Sequence, residues 1–384
     1  MENGIKRLLH MRHKRILCII FAVTLSACAA QKEVLNEDIV NPYSQSSFAT
    51  NIPAAISEDG IYYVPDYQNT LYFAENDGTS YPLTSLVFLD GEPADPGYVD
   101  VIEFDQYYDQ CMLGSPIVYY DDKVLYLSLY ENIEGEQKYR LNAVVKDGSG
   151  WKTILELTFE PYFFMICDAY IVVSERDSYG TGGDIHVFDF SGKELALITN
   201  DESVMNLYVG DGNGYVRTME NLYRISFSDM TLEKVNQEEG VYLFVNDGKA
   251  AYYTYPENFE ETDDWSLLPI HAGIMDLESG QEVLGLEDCI IDYFDENYIY
   301  AVKLKEEHSR FLVMDWQGNV VSEIVPYESL GESAVTQLVI MQEEDFGDIV
   351  RVWNGKLFGA AVGDDSLMHM FTCDMDSASC RYLE

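Results

Sequence analysis

One pattern, recurring seven times, constrains this chain more than any other: a short polar turn built on Asp or Asn, running into a strand rich in β-branched residues and tyrosine. It appears as Glu58-Asp59-Gly60-Ile61-Tyr62-Tyr63 and as Asp121-Asp122-Lys123-Val124-Leu125-Tyr126. It returns at Asp168-Ala169-Tyr170-Ile171, Asp211-Gly212-Asn213-Gly214-Tyr215, Asp247-Gly248-Lys249-Ala250, Asp295-Glu296-Asn297-Tyr298-Ile299 and Asn354-Gly355-Lys356-Leu357. Asp closes a strand by bonding the backbone just ahead of it, and Gly accepts the positive φ of a tight hairpin.

Most copies are followed by a second hairpin in which an apolar residue precedes Asp and a Gly comes a few residues later. Val187-Phe188-Asp189-Phe190-Ser191-Gly192, Ile274-Met275-Asp276-Leu277-Glu278-Ser279-Gly280 and Val313-Met314-Asp315-Trp316-Gln317-Gly318 are the clear cases, with Val144 to Gly150 beside them. Two hairpins make four strands. Residues 50–384 divided among seven units give a period of about 48, near the ~40–50 residues of a propeller blade. No stretch carries apolar residues at helical spacing over three turns. The expectation is therefore an all-β chain, a β-propeller of seven four-stranded blades. Six or eight blades would need one insertion reassigned, and a β-sandwich pair or a β-solenoid is the competing architecture. The spacings from Ile61 to Val124 and from Ile299 to Leu357 are long, so residues 86–113 and 326–346 read as insertions.

Ahead of the repeats lies an export signal. Lys6, Arg7, Arg12, Lys14 and Arg15 precede the apolar run Ile16 to Thr24, which is too short to span a bilayer. Met11 is an equally good start. Leu25-Ser26-Ala27-Cys28 resembles the lipobox of bacterial lipoproteins, which implies cleavage before Cys28 and a diacylglycerol on its thiol. Two acyl chains suffice for stable anchoring. The expected domains are a signal peptide over 1–27, the lipidated Cys28 with a flexible tether to residue 49, and the propeller over 50–384. The bilayer is thus an expected partner, and the extracytoplasmic side of a bacterial envelope membrane the expected location. Ala29 is not the aspartate that marks inner-membrane retention in this family.

Charge narrows the partners. The chain carries 23 basic and 67 acidic residues, a net −44. Removing residues 1–27 leaves 18 against 66, or −48. Nucleic acid is excluded as a partner on that balance, because phosphate binding needs a basic patch. Disorder does not follow from the acidity, since 47% of residues are hydrophobic and 13% aromatic.

Beyond Cys18 and Cys28, five cysteines remain: Cys111, Cys167, Cys289, Cys373 and Cys380. Cys373 and Cys380 flank a turn-like segment and face each other if it closes a hairpin; a disulfide and two free thiols both fit the sequence.

The Asp-x-x-Gly and Asp-x-x-Ser-Gly hairpins resemble the repeats of quinoprotein-like propellers, where a docking tryptophan follows an Asp-x-x-Thr-Gly turn. Asp276-Leu277-Glu278-Ser279-Gly280 is nearest to that form but continues into Leu284-Gly285 without the tryptophan. The tyrosine-rich hairpins resemble low-density-lipoprotein-receptor-type propeller repeats found in bacterial lipoproteins. Both resemblances imply fold more than function.

No coherent catalytic set accompanies the scaffold. There is no Gly-x-Ser-x-Gly elbow. Lys146-Asp147-Gly148-Ser149-Gly150-Trp151 departs from a sialidase Asp-box in spacing, and Arg140, Arg176, Arg217, Arg224, Arg310, Arg351 and Arg381 are scattered, as are His186, His271, His308 and His369. The acidic stretches Glu257 to Trp265 and Glu343 to Asp348 match no EF-hand, so no cofactor is expected and calcium is the one cation such loops suit. Trp265, Trp316 and Trp353 suit blade packing or a stacking rim. The sequence therefore points to a noncatalytic, membrane-tethered propeller that binds a protein, peptide or glycan through one rim or its insertions. An extracellular glycan-active enzyme is the alternative, and a scaffold subunit of envelope assembly a third reading.

Overall fold

The computed structural model describes residues 54–65, 69–89, 92–93, 108–112, 116–131, 136–236, 238–254, 270–303, 310–330, 349–353, 355–362 and 368–383. The signal, Cys28, the tether, both acidic stretches, Trp265 and His308 lie outside these residues.

Seven sheets follow one another along the chain; six have four strands in consecutive order, and the second has seven, four of which form its blade. Blade 1 holds β1 (Ala54–Ile56), β2 (Gly60–Tyr63), β3 (Thr70–Glu75) and β4 (Ser80–Ser85). Three short strands follow, β5 (Val87–Leu89), β6 (Glu92–Pro93) and β7 (Tyr108–Cys111). Blade 2 is β8 (Ile117–Tyr120), β9 (Lys123–Glu131), β10 (Gln137–Val145) and β11 (Lys152–Leu157), and blade 3 is β12 (Pro161–Cys167), β13 (Tyr170–Arg176), β14 (Gly182–Asp189) and β15 (Glu194–Ile198). Blade 4 comprises β16 (Asn206–Gly210), β17 (Asn213–Arg217), β18 (Leu222–Ser226) and β19 (Thr231–Lys234). Blade 5 comprises β20 (Val241–Asn246), β21 (Lys249–Thr254), β22 (His271–Asp276) and β23 (Glu282–Glu287). Blade 6 runs through β24 (Cys289–Phe294), β25 (Ile299–Lys303), β26 (Arg310–Met314) and β27 (Val320–Ile324), with the one-turn helix α1 (Pro326–Leu330) after it. Blade 7 is β28 (Ile349–Trp353), β29 (Lys356–Val362), β30 (Met368–Asp374) and β31 (Ser379–Tyr382). This is the seven-bladed, four-stranded propeller that the repeat predicts.

Burial explains why the middle strands read as unbroken apolar runs. Alternate residues of one strand serve opposite faces, and in a blade both faces are covered. In blade 6, Ile299 and Ala301 join the cluster shared with blade 5, while Tyr300 and Val302 join the one shared with blade 7. Each of the seven blade-to-blade seams has such a cluster. The seventh closes the ring: Ala54, Ile61, Tyr63 and Ala74 of blade 1 pack with Phe358, Met370 and Leu383. Among the described residues no strand is exchanged across this seam, and side-chain packing joins the first blade to the last. Outermost strands keep one wet face, with Leu197, Val283, Val320 and Val321 exposed.

The strand order also sorts the connections between two faces. Strands alternate in direction within a blade, so the first-to-second and third-to-fourth turns share one end, and the remaining connections share the other. On the first, the turn face, every link is two to six residues long. Asp121-Asp122, Asp211-Gly212 and Asp247-Gly248 have positive φ at both positions, the conformation of a type I′ hairpin. Each third-to-fourth turn carries one Asp that accepts bonds from the turn itself: Asp77, Asp147, Asp189, Asp229, Asp276, Asp315 and Asp374. Their carboxyls are all held below the ordinary value by those bonds, from backbone N–H groups and from Ser, Thr or Asn side chains.

The second end, the connection face, takes every long link: residues 86–116, 255–270 and 325–348 all leave from it and return to it. The 86–113 insertion is more than a loop. Its β7 pairs with the far half of β9, Ser128–Glu131, beyond the stretch paired with β8, and β5 pairs with β7. Blade 2 therefore extends past its neighbours at this face. The added strand is fixed by a buried network: Asp109 accepts from Arg140 Nη1 at 3.1 Å and from Asn142 Nδ2 at 2.9 Å, and Asn142 also donates to Ser128 at 2.7 Å.

Candidate functional site

The connection face holds a cavity of about 400 Å³ at the end of blade 3, beside the link to blade 4. Two connections build it. One is the β13–β14 link of blade 3, residues 177–181; the other runs from β15 to β16, residues 199–205. Its lining includes Glu175, Asp177, Asp184, Asp201 and Glu202, against the single cation Arg176.

Local chemistry sets each wall. Asp177 starts a tight turn: its Oδ1 accepts the N–H groups of Tyr179 (2.8 Å) and Thr181 (2.9 Å), and its Oδ2 accepts the Thr181 hydroxyl at 2.8 Å. Gly180 closes the turn with a φ of +86°. Beneath it Gly182 bridges to Val204 of the second connection, and a Cβ there would lie 2.8 Å from the Val204 carbonyl oxygen, so glycine is required. Glu202 locks the second connection to blade 4, accepting from Thr218 (2.6 Å), Asn221 (2.9 Å) and Tyr223 (2.5 Å). The Asn200 side chain donates to the Glu202 carbonyl, and its N–H to Asp184 at 3.2 Å. Tyr179 stands at the rim, 87% exposed.

Burial pushes the Asp177 and Glu202 carboxyls up, but the hydrogen bonds they accept outweigh it and hold both below their ordinary values. Both stay ionised at neutral pH. A general acid for glycoside cleavage needs a carboxyl whose value is raised. The cavity can hold cationic or hydroxyl-rich groups by field and hydrogen bonding; Asp177 and Glu202 are tied to the fold in the manner of anchors.

The other sequence candidates are dispersed. His186, in blade 3, sits between Glu194 (2.9 Å) and Glu175 (3.4 Å) and stacks on Phe159. His271 lies in blade 5 between Glu282 (2.6 Å) and Glu287 (3.1 Å), and His369 in blade 7 beside Tyr382. Among the described residues no group of three or more His, Cys, Asp or Glu could hold a metal ion. Trp316 packs on Phe294 and donates to the Asp295 carbonyl at 3.1 Å, which makes it a packing residue of the turn face. The side chains of Arg351 and Trp353 are outside those described. Asp147 is a turn residue, accepting from the Ser149 N–H at 2.9 Å. Cys373 and Cys380 are register partners across the β30–β31 hairpin, and a disulfide joins them in the structure. Cys111, Cys167 and Cys289 are free and buried.

Sequence reasoning directed attention to the two insertions and missed the cavity. The signal was present: Asp177-Ser178-Tyr179-Gly180 is an Asp-to-Gly turn out of phase with the repeat, hence on the opposite face.

No family model matches the chain, and no curated protein matches it. Among solved structures, the β-propeller domain of the trilobed protease from Pyrococcus furiosus, described with an open velcro topology, has 13% identity and a TM-score of 0.48, over 89% of this chain and 98% of that one. Oligopeptidase B from Leishmania major has 9% identity and a TM-score of 0.49, over 91% of this chain and 49% of that one. Hydrazine synthase of Kuenenia stuttgartiensis has 12% identity and a TM-score of 0.43, over 66% of this chain and 74% of that one. The likeness goes no further than the propeller fold.

Proposed function

We propose that the protein is a noncatalytic binding propeller, tethered through a lipid on Cys28 to the extracytoplasmic side of a bacterial membrane, whose connection face takes a protein, peptide or glycan. The observation that carries the binding half is the division between faces. Turns on one face are short and chemically alike, whereas all long links and the acid-lined cavity gather on the other. Loops on a rigid scaffold are where recognition concentrates. The two cavity carboxyls with perturbed values are both ionised and bonded within the fold, which favours binding over acid-base catalysis. The lipid half is supported by Leu25-Ser26-Ala27-Cys28 behind a basic and then apolar leader. A field of carboxylates at the rim favours ligands carrying amines or guanidinium groups.

Two measurements test the proposal. In detergent phase partition, the wild-type protein should enter the detergent phase and Cys28→Ser should not; a Cys28→Ser protein that still partitions with detergent sinks the anchor. On arrays of glycans and basic peptides, Asp184→Lys combined with Asp201→Lys should abolish the signals of the wild type. Signals indifferent to that reversal, or chemical conversion of an array component, would overturn the binding reading.

A further inference from the structure

His186 stands behind one wall of the cavity. Ile171 and Val173 of β13 and Phe188 of β14 pack toward blade 2. Residues two apart share a strand face, so Glu175 and His186 project to that side as well. Val173 is the register partner of His186, which makes Glu175 its diagonal neighbour, within reach across the paired strands. The His186 side chain is only 10% exposed, yet the Glu175 carboxylate it meets also lines the cavity.

The ring is placed between two acceptors. It stacks on Phe159 at 3.8 Å, which fixes its plane. Nδ1 meets Glu194 Oε1 at 2.9 Å, and Nε2 meets Glu175 Oε2 at 3.4 Å. A neutral imidazole has one N–H and one lone pair, whereas the imidazolium donates from both nitrogens. Only the charged ring can donate to both carboxylates; in the neutral ring one nitrogen turns a lone pair toward an oxygen. The shorter contact keeps the proton on Nδ1, against Glu194, and Glu175 is the partner that is lost. The other titratable groups around the ring have their own engagements. Arg176 pairs with Glu160 at 2.9 Å, and Asp184, two residues before His186 on β14, accepts from the Asn200 N–H at 3.2 Å. From blade 2, Tyr139 packs against the same cluster, and burial and Glu160 push its phenol above the ordinary value, so it stays neutral.

His271 of blade 5 also lies between two carboxylates. There Glu282 accepts the Tyr252 hydroxyl at 2.7 Å as well, and neither Glu282 nor Glu287 lines the cavity. At His186 the ring and the cavity share a carboxylate.

We propose that His186 is a proton switch for the cavity. Protonated, it holds Glu175 and sets a positive charge behind the acidic wall. Deprotonated, it withdraws that charge and frees the Glu175 carboxylate, so an ammonium or guanidinium group binds more tightly as pH rises. Binding and protonation compete for one carboxylate, and by reciprocity a bound cation lowers the proton affinity of the ring. Histidine is the side chain that changes charge between about pH 5 and 8, whereas carboxyls ordinarily do so at about 4. The cavity is thus tuned in a range where Asp177 and Glu202 are already ionised. The inference rests on the reading of the cavity as a site for cationic groups.

Nuclear magnetic resonance of the full-length protein, isotope-labelled at histidine, tests the switch without a ligand. The His186 signal, assigned by its absence in His186→Gln, should titrate at lower pH in Glu175→Gln than in wild type; an unmoved midpoint overturns the pairing. Equilibrium dialysis with acetyl-arginine amide, whose charge is constant over this range, tests the coupling against uncharged acetyl-citrulline amide. Wild type should bind the cation about three- to tenfold more tightly at pH 8 than at pH 5.5. His186→Gln should bind it equally at both, and the bound cation should move the His186 titration to lower pH. Glu175→Gln, at a side chain 44% exposed, is a second variant whose affinity should vary with pH less than that of wild type. Equal wild-type affinity at both pH values, or an undiminished pH dependence in either variant, refutes the switch and leaves the cavity reading standing. No binding at pH 8, or binding indifferent to Asp184→Lys with Asp201→Lys, refutes the cavity reading and the switch with it.

Discussion

Asp109→Asn should loosen the strand added to blade 2 and leave the ring intact. The Asp109 side chain is only 4% exposed and is the hub through which β7 is tied to β9 and β10. Removing one member of a buried ion pair ordinarily costs about 3–5 kcal/mol, because the other charge is stranded. Here the cost is smaller for two reasons. Arg140 keeps Glu156 at 3.0 Å and the Tyr130 ring at 3.8 Å, so its charge is not orphaned. Burial also pushes the Asp109 carboxyl up against the hydrogen bonds from Ser128, Arg140 and Asn142, so ionisation already costs the folded state something. About 1–2 kcal/mol is expected for Asp109→Asn, which retains an acceptor oxygen, and about 2–4 kcal/mol for Asp109→Ala, which strands donors of Arg140 and Asn142. Since β7 adjoins the blade only along Ser128–Glu131, the loss should be local. Amide hydrogen exchange is the assay. A loss of 2 kcal/mol raises local opening about thirtyfold. Exchange should speed up at Tyr108–Cys111 and Ser128–Glu131 and stay unchanged in blades 4 to 6. Uniform acceleration through the ring, or none in β7, would refute the assignment of this network as a local latch.

The seven turn aspartates make the fold acid-sensitive in one direction. Their folded values lie below the ordinary 3.8, so the stability they contribute is present above that value and lost as pH falls through the folded ones. Circular dichroism from pH 5 to 2 should show unfolding that Asp276→Asn, Asp315→Asn and Asp374→Asn together make shallower; an unchanged acid limb counts against the turn assignment. For His271, burial lowers the imidazole value, but the bonds to Glu282 and Glu287 prevail and hold it above 6.5. The stability of wild type over His271→Gln should then be greatest below pH 6.5 and vanish as pH rises through the folded value, read from urea midpoints between pH 5.5 and 8.5; a difference independent of pH would refute it. The bridge between Cys373 and Cys380 closes a short loop in the last blade, worth about 2–3 kcal/mol by chain entropy. Cys373→Ser with Cys380→Ser should lower the denaturant midpoint accordingly and abolish any effect of reductant. A midpoint unmoved by either change would mean that the pair adds nothing to closure.

What could be read from the sequence is what local chemistry decides. Asp-Gly turns reveal themselves because the side chain and the positive φ both act within four residues, as Asp247-Gly248 and Asp315 to Gly318 do. The inner strands reveal themselves because burial on both faces leaves no polar alternation, as in Tyr170-Ile171-Val172-Val173. Blade number followed from counting those signals. The cavity was hidden because its walls come from connections joined through Gly182 and Val204, a contact that no periodicity encodes. The sheet nature of the 86–113 insertion was hidden for a similar reason. Val87-Phe88-Leu89 and Tyr108-Asp109-Gln110-Cys111 are too short to declare themselves as strands, and their pairing depends on the length of β9.

The two-face division bears on the proposed anchor through topology. The described chain begins with Ala54 at the start of an innermost strand, and every such strand starts at the connection face. Under the proposed anchoring, residues 29–53 would join Cys28 to that strand. Residues 29–53 span at most ~90 Å when fully extended, and far less as a coil. A body that binds a ligand beside a bilayer needs clearance from it, and a polar segment of that length would supply it. The net −44 charge acts in the same sense, because an acidic body is repelled by anionic headgroups. Under the proposed anchoring, the length of residues 29–53 and the acidity of the chain would act together to keep the body clear of the bilayer.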